Sequence, residues 1–338
     1  MSLKFDWKKL FNIAIMLFSI GLLIFLCFSN NGLVNLISNY HRIKKGYLIL
    51  AILCQLLNLF IDCSLIYIFA KSSIKNYTLK NAFKTSMTGQ FFSCITPGAS
   101  GGQPMQVYAL IKQGFDPGVA TSTLVQKFLV YQTTITLYGI FSIFICFNNF
   151  KDSIGKLVWV FVVVGFLAQA IGIISVLLFA FNRILAENII DSLFKLLSRF
   201  KFLKINEDKV ENIKAELFYF YKNNQKLFEN IKTLILVYSL CIIQITSMFI
   251  IPYFIYKSFD LNGAKIIDLI CSQAFVNMIS SFIPLPGASG ASEGSFYVFF
   301  NLYFTQETIK SAILLWRFIT YYLTILISAP FSRLKNKS

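Results

Sequence analysis

Thr96-Pro97-Gly98-Ala99-Ser100-Gly101-Gly102-Gln103-Pro104 decides how this chain is read, because part of it recurs. Pro286-Gly287-Ala288-Ser289-Gly290 repeats Pro97 to Gly101 letter for letter, 189 residues later. Both copies lie inside long apolar segments. Proline and glycine break helices, and a bilayer core holds no water to satisfy the backbone they free. Two matching breaks in corresponding halves are the sequence signature of a transporter-like site built from interrupted helices.

The surrounding composition fits that setting. Of 338 residues, 56% are hydrophobic and only 14% charged, with mean hydropathy +0.66. That charge content is well below a soluble domain's usual quarter. Apolar runs of about 20 residues, enough to cross a hydrocarbon core, cover Phe11 to Ser29, Tyr47 to Ala70, Gly118 to Phe147, Leu157 to Phe181, Thr233 to Tyr256 and Ser311 to Ser328. The expectation is an all-α polytopic membrane protein. It has about six full transmembrane helices and two broken or re-entrant Gly-rich elements, over 85–113 and 264–305. The first run resembles a signal peptide, but it is too long and lacks a small-residue cleavage site.

The formal net charge of +16 would suggest nucleic acid in a soluble protein. Here most Lys and Arg fall in short loops and tails, the positive-inside pattern, and no nucleic-acid partner is expected. Lys71, Lys75, Lys80 and Lys84 mark one inside loop. Residues 182–232, with ten Lys/Arg against seven Asp/Glu, form the largest polar insert. Leu185, Ile189, Leu193, Leu196, Leu197 and Phe200 recur there at helical spacing, which predicts an amphipathic helix on the cytoplasmic face. This topology puts both termini inside and makes the two broken elements an inverted repeat, about 47–181 and 233–330. The basic loop 42–45 then falls outside, against the rule. Abundant lysine and phenylalanine with little arginine hint at a low-GC bacterium and hence a bacterial plasma membrane.

Seven cysteines, Cys27, Cys54, Cys63, Cys94, Cys146, Cys241 and Cys271, all lie in or beside apolar segments without a C-x-x-C pair. They read as small buried hydrophobes. One histidine, His41, excludes a histidine metal cluster. No cofactor motif is present, and no metal or cofactor is expected.

The candidate site residues come from the breaks and from the charges near them. Gly98, Gly101, Gly102, Gly287 and Gly290 permit close backbone approach and positive φ, while Pro97 and Pro286 stop the preceding helix. Ser100-x-x-Gln103 matches a capping box, with Pro104 tolerable in a helical first turn. Ser289 and Ser292 are candidate caps in the second copy, followed by Glu293. Newly started helices offer free N–H groups to an anion. The alternative is that both motifs are tight helix crossings of small residues.

Lys127 lies 30 residues after Pro97, and Arg317 lies 31 after Pro286. A charge at mid-bilayer costs about 2.5–3.5 kcal/mol or more and usually faces a cavity or a partner. Two outcomes follow: the two cations share a pocket that holds a phosphate head group, or each pairs with an acid such as Asp62 or Glu293. The paired placement favours the shared pocket. Asp62 is either a proton carrier or a structural partner. Tyr108 and Tyr297 also match at the repeat offset, but aromatics are common here and carry little weight.

At these residues the chain resembles the flippase-like membrane domain of bacterial lysylphosphatidylglycerol synthases. Pro97 to Pro104 followed by Val107-Tyr108 is similar to that family's first Gly-rich signature. Pro286 to Gly290 with Glu293, then Arg317 on the last span, resembles its second. The chain departs from the pattern where members often carry an acid at Gln103 and an acidic–arginine pair at Gln126-Lys127. In the long members a soluble domain transfers lysine from lysyl-tRNA to phosphatidylglycerol, giving resistance to cationic peptides. For a chain ending at Ser338 the resemblance implies the stand-alone lipid-translocating part. It would move a phospholipid or polyprenyl-linked anionic head group between leaflets. The alternatives are a phosphatidylglycerol lysyltransferase working with a separate transferase protein, and a non-transporting membrane scaffold.

Overall fold

The computed structural model describes residues 43–151, 154–184, 187–188, 192, 215–223 and 230–332. The expected first span, the basic C-terminal tail and most of the 182–232 insert lie outside these residues. Every regular element among those described is helical. In chain order they are α1 (Lys45–Ser73), α2 (Leu79–Ile95), α3 (Gly102–Lys112), α4 (Pro117–Phe150), α5 (Lys156–Phe181), α6 (Ile231–Phe249), α7 (Ile251–Ser258), α8 (Ile266–Ser281), α9 (Ala291–Phe300), α10 (Ile309–Arg317) and α11 (Leu323–Ser328). Five helical stretches are long and apolar enough to cross a membrane: Lys45–Ser73, Pro117–Asn148, Lys156–Phe181, Ile231–Ser258 and Ile309–Phe331. They coincide with the expected spans to within a few residues.

The broken elements are helical hairpins. α2 and α3, with 17 and 11 residues, measure about 25 and 16 Å, too short to span singly. Their arms run antiparallel and in contact. A Cβ on Gly102 would meet Ser93, and one on Gly89 would meet Gln106, so the contacts move up one arm as they move down the other. α8 and α9 repeat the arrangement, with Phe275 stacked 5.3 Å from Phe299 between their arms. α3 and α9 start at Gly102 and Ala291, which are 189 residues apart like the motifs. The upstream arms differ. α2 runs to Ile95, whereas α8 stops at Ser281, because Pro284 and Pro286 disfavour helix at the residues before them.

The packing is aromatic around the second hairpin. Phe296 stacks on Phe300 and Trp316 at 4.1 and 4.7 Å, and Phe150 meets Phe275 edge-on at 5.7 Å. A bilayer gives apolar helices little hydrophobic reason to associate, so such close contacts and hydrogen bonds carry the association. α5 is largely uncovered by protein, with only 17% of its apolar window buried, as suits a lipid-facing span.

The two ends of the bundle are distinct. At one, Lys44 pairs with Asp260 at 2.7 Å, and that hydrogen bond and charge hold the exposed ammonium's pKa above its usual value. At the other, the insert docks through residues 215–223. Glu216 accepts a 2.6 Å bond from the Gly118 N–H in the first turn of α4, where a helix favours negative charge. Asn223 receives the Ser73 hydroxyl at 2.7 Å, and its backbone carbonyl receives Gln126 Nε2 at 3.0 Å.

Candidate functional site

Each break is a one-turn 3-10 segment, Pro97–Ala99 and Pro286–Ala288. Gly98 and Gly287 have φ of 57° and 59°, as their type allows, but Ala99 and Ala288 follow at 55° and 49°. A left-handed residue with a Cβ costs about 1–2 kcal/mol, and both copies carry one at the same position. The breaks touch each other across the hairpins. The side-chain position of Gly98 lies 3.9 Å from Pro284 Cα. A cavity of about 310 Å³ sits between the tips, bordered by Gly98 and Ala99 from one and Gly287 and Ala288 from the other.

The capping expectations need correction. At the first break Thr96, not Ser100, does the work: its hydroxyl accepts from Gly101 N–H at 2.9 Å and donates to the Phe92 carbonyl at 2.6 Å. Helix α3 begins at Gly102 with no side-chain cap, so Ser100 and Gln103 form no box, though Pro104 does sit in its first turn. At the second break the cap is Glu293, whose Oε2 accepts from Gly290 N–H at 2.6 Å. Ser289 instead donates to the Pro286 carbonyl at 2.7 Å, and Ser292 to Ala288 at 3.0 Å.

Both cations take acidic partners. Lys127 Nζ lies 2.6 Å from Asp62 Oδ1, across α4 and α1, and Ser86 from α2 donates to Asp62 Oδ2 at 2.5 Å. Arg317 Nε lies 2.5 Å from Glu293 Oε1. The Arg317 Nη2 group donates to the Gly287 carbonyl at 2.8 Å and to the Ser292 hydroxyl. Its guanidinium also stands over the Tyr321 ring, 5.3 Å from the centroid. A π turn over Phe318–Tyr322 interrupts the last span directly after Arg317. Such turns often mark functional positions.

The two pairs occupy different surroundings. Lys127 and Asp62 line a second cavity of about 310 Å³, to which α1, α2, α3, α4 and α6 contribute lining residues. Gly102 and Gln103 line it from the start of α3, Gln90 and Ser93 from α2, and Tyr131 from α4. Ser93 and Ala99 border both cavities, so this chamber adjoins the space between the breaks. Arg317 lines neither; its hydrogen bonds hold the second break. Pro97, Ser100, Gly101, Pro286, Ser289, Gly290 and Glu293 likewise shape the turns without lining either cavity. The expected single pocket around both cations is therefore replaced by one chamber at Lys127 and one staple at Arg317.

Sequence reasoning passed over several chamber residues. Gln90, Gln106 and Gln244 are spread over three helices. A repeat signal did exist at two others: Lys127-Phe128-x-x-Tyr131 is matched by Arg317-Phe318-x-x-Tyr321. Tyr131 lines the chamber and Tyr321 the inter-break cavity.

Membrane-length helices, two broken hairpins that meet at their tips and two buried ion pairs define a polytopic helical membrane protein. The family described as "Lysylphosphatidylglycerol synthase TM region" matches residues 11–328, and the chain belongs to that family. A relative named "UPF0104 membrane protein" from Archaeoglobus fulgidus is 26% identical over 272 residues, which cover 76% of this chain and 77% of the relative.

Proposed function

We propose that this protein translocates a lipid between leaflets, its head group passing through the chamber at Lys127 while its tails stay in the bilayer. The observation that carries this is the position of the Asp62–Lys127 pair: a charged pair at membrane depth, lining a chamber that adjoins two broken hairpins. Ionisable groups inside a membrane mark substrate pathways, and broken helices at the repeat interface form transporter sites. An arriving phosphate competes with Asp62 for Lys127, and the Ser86 hydroxyl keeps a hydrogen bond on Asp62 when the lysine moves. The first turn of α3 adds unpaired N–H groups beside it.

The matched breaks and the matched Lys/Arg-Phe-x-x-Tyr segments support two repeats, 47–181 and 233–330, which we assign inverted topology and place in a bacterial plasma membrane. The lysine-rich segment 71–84 and the docked piece 215–223 share one end of the bundle, which we assign to the cytoplasm together with both termini. The lysyltransferase alternative rests on the family's name alone. Purified protein in liposomes with labelled lipid in one leaflet tests the reading. Translocation that falls at least about tenfold in Lys127→Gln supports it. No translocation of any lipid above protein-free liposomes overturns it.

A further inference from the structure

We propose that residues 215–223 are a latch. Docked, they hold α1 against α4 and keep the chamber closed toward their end of the bundle; undocked, they let it open there. This rests on the translocation reading and adds to it a gate on the side we assign to the cytoplasm. The segment is helical, and Leu217, Phe220 and Asn223, spaced three apart, are 7%, 3% and 5% exposed, so one face is buried. Phe220 packs with Leu129 of α4 and lies 6.0 Å from the Phe179 ring of α5. The Tyr221 hydroxyl donates at 2.7 Å to the Phe179 carbonyl, which is among the last of α5 and has no partner within that helix. Asn223 joins the spans. Its Oδ1 accepts from Ser73, the last residue of α1, at 2.7 Å, and its Nδ2 donates to Ser122 Oγ on α4 at 2.5 Å. Its carbonyl accepts from Gln126 Nε2 at 3.0 Å. One residue thus bridges the two helices that carry Asp62 and Lys127.

An apolar seal lies between the Asp62–Lys127 pair and this end. Ile66 and Ala70 of α1 pack with Leu110 of α3 and with Ala120 and Leu124 of α4, and none is more than 5% exposed. Leu124 also lines the chamber, so the seal is the chamber's floor. A passage from this end needs α1 and α4 to part, and Ser73, Ser122 and Gln126 must then release Asn223. The joining bonds run between neutral amides and hydroxyls, which exchange protein partners for water at little net cost once an end opens. That suits a reversible latch. Gly118 shows how closely the segment is set against α4. A Cβ there would lie 2.1 Å from the Glu216 carbonyl oxygen, a backbone atom, so the segment would have to move away. Gly118 is not among the positive-φ residues and alanine favours a helix, so Gly118→Ala disturbs the docking and not α4 itself.

A native thiol reports the opening: Cys63 belongs to the seal and is 1% exposed. The test combines hydrogen–deuterium exchange with labelling by a charged maleimide, read by peptide mapping, on the full chain in nanodiscs. Wild type, Gly118→Ala and Asn223→Ala are compared. In each variant the amides of 215–223 should exchange faster, and Cys63 should label at least about tenfold faster, the factor for an opening equilibrium eased by about 1.4 kcal/mol. Cys146 and Cys271, buried near the opposite end of α4, should label as in wild type. Faster exchange in either variant with unchanged Cys63 labelling overturns the latch, since the segment then leaves without opening anything. Unchanged exchange in both variants overturns it too, because the docking contacts then hold nothing. An equal rise at Cys146 and Cys271 reports general unfolding and also counts against it. The liposome assay is read separately. Faster Cys63 labelling in a protein that translocates no lipid sinks the transport reading alone, and translocation with unchanged Cys63 labelling sinks the latch alone.

Discussion

The Tyr321 hydroxyl donates a 2.9 Å hydrogen bond to the carbonyl of Cys94. Tyr321 belongs to the last span and Cys94 to the final turn of the first hairpin's long arm, so one bond joins elements 227 residues apart. That carbonyl is among the last four of α2, which have no partner within the helix. The ring also lies against Gly287 and beneath the Arg317 guanidinium, so Tyr321 touches the second break and the end of the arm that leads into the first.

Tyr321→Phe keeps the ring and removes the bond. It should cost about 0.5–1.5 kcal/mol in unfolding measured in mild detergent. It should also change the translocation rate, because the two hairpin tips are no longer tied. Unchanged stability together with an unchanged rate would show that the bond ties nothing.

The two central glycines look equivalent in sequence and are not in space. Both have positive φ, so an alanine at either carries the left-handed penalty of about 1–2 kcal/mol. At Gly98 a Cβ finds only Pro284 Cα at 3.9 Å, an ordinary contact. At Gly287 it would lie 2.5 Å from the Tyr321 ring. Gly98→Ala should therefore fold and retain partial activity, while Gly287→Ala should displace Tyr321 and lose far more. Thermal unfolding of both variants checks this, and the reverse order would contradict the geometry.

Cys146 on α4 and Cys271 on α8 are fully buried, with sulfurs 2.6 Å apart. Copper–phenanthroline should take two electrons and two protons from this pair and leave a disulfide. Peptide mapping would then find the two cysteines cross-linked, and Cys146→Ser would abolish the link. Failure of the pair to link while other cysteines oxidise would argue against the α4–α8 packing.

The spans were legible because membrane thickness sets their length: Tyr47 to Ala70 was read where Lys45–Ser73 is found. The breaks were legible because only Pro and Gly interrupt such runs. The left-handed alanines were not, since alanine carries no signal for positive φ and the hairpin contacts hold it there. Lys127 was visible as a charge, yet its choice of Asp62 over a shared anion depends on how α1 and α4 meet, 65 residues apart in sequence. Arg317 looked like its twin because spacing reports position along the chain and not the direction of a side chain. Gln103 was read because it stands in the first break, whereas Gln90, Gln106 and Gln244 were hidden because glutamine in an apolar run stands out only once several converge.

That difference between the cations is testable. Arg317 is 6% exposed and holds Glu293 and the Gly287 carbonyl, so Arg317→Gln leaves a carboxylate buried without its charge partner. Breaking a buried pair this way costs about 3–5 kcal/mol in soluble proteins. Arg317→Gln should therefore lower thermal stability severely, and adding Glu293→Gln should recover part of the loss, since no unpaired charge remains. Lys127 lines the chamber, and Asp62 keeps Ser86 as a partner in its absence. Lys127→Gln should then cost less stability than Arg317→Gln and act mainly on transport, and the Asp62→Asn, Lys127→Gln double variant should regain folding without regaining transport. Unfolding and liposome translocation measured on the same preparations separate the two effects. If Lys127→Gln destabilises as much as Arg317→Gln, or if Arg317→Gln folds normally and loses only transport, the division into chamber and staple is wrong.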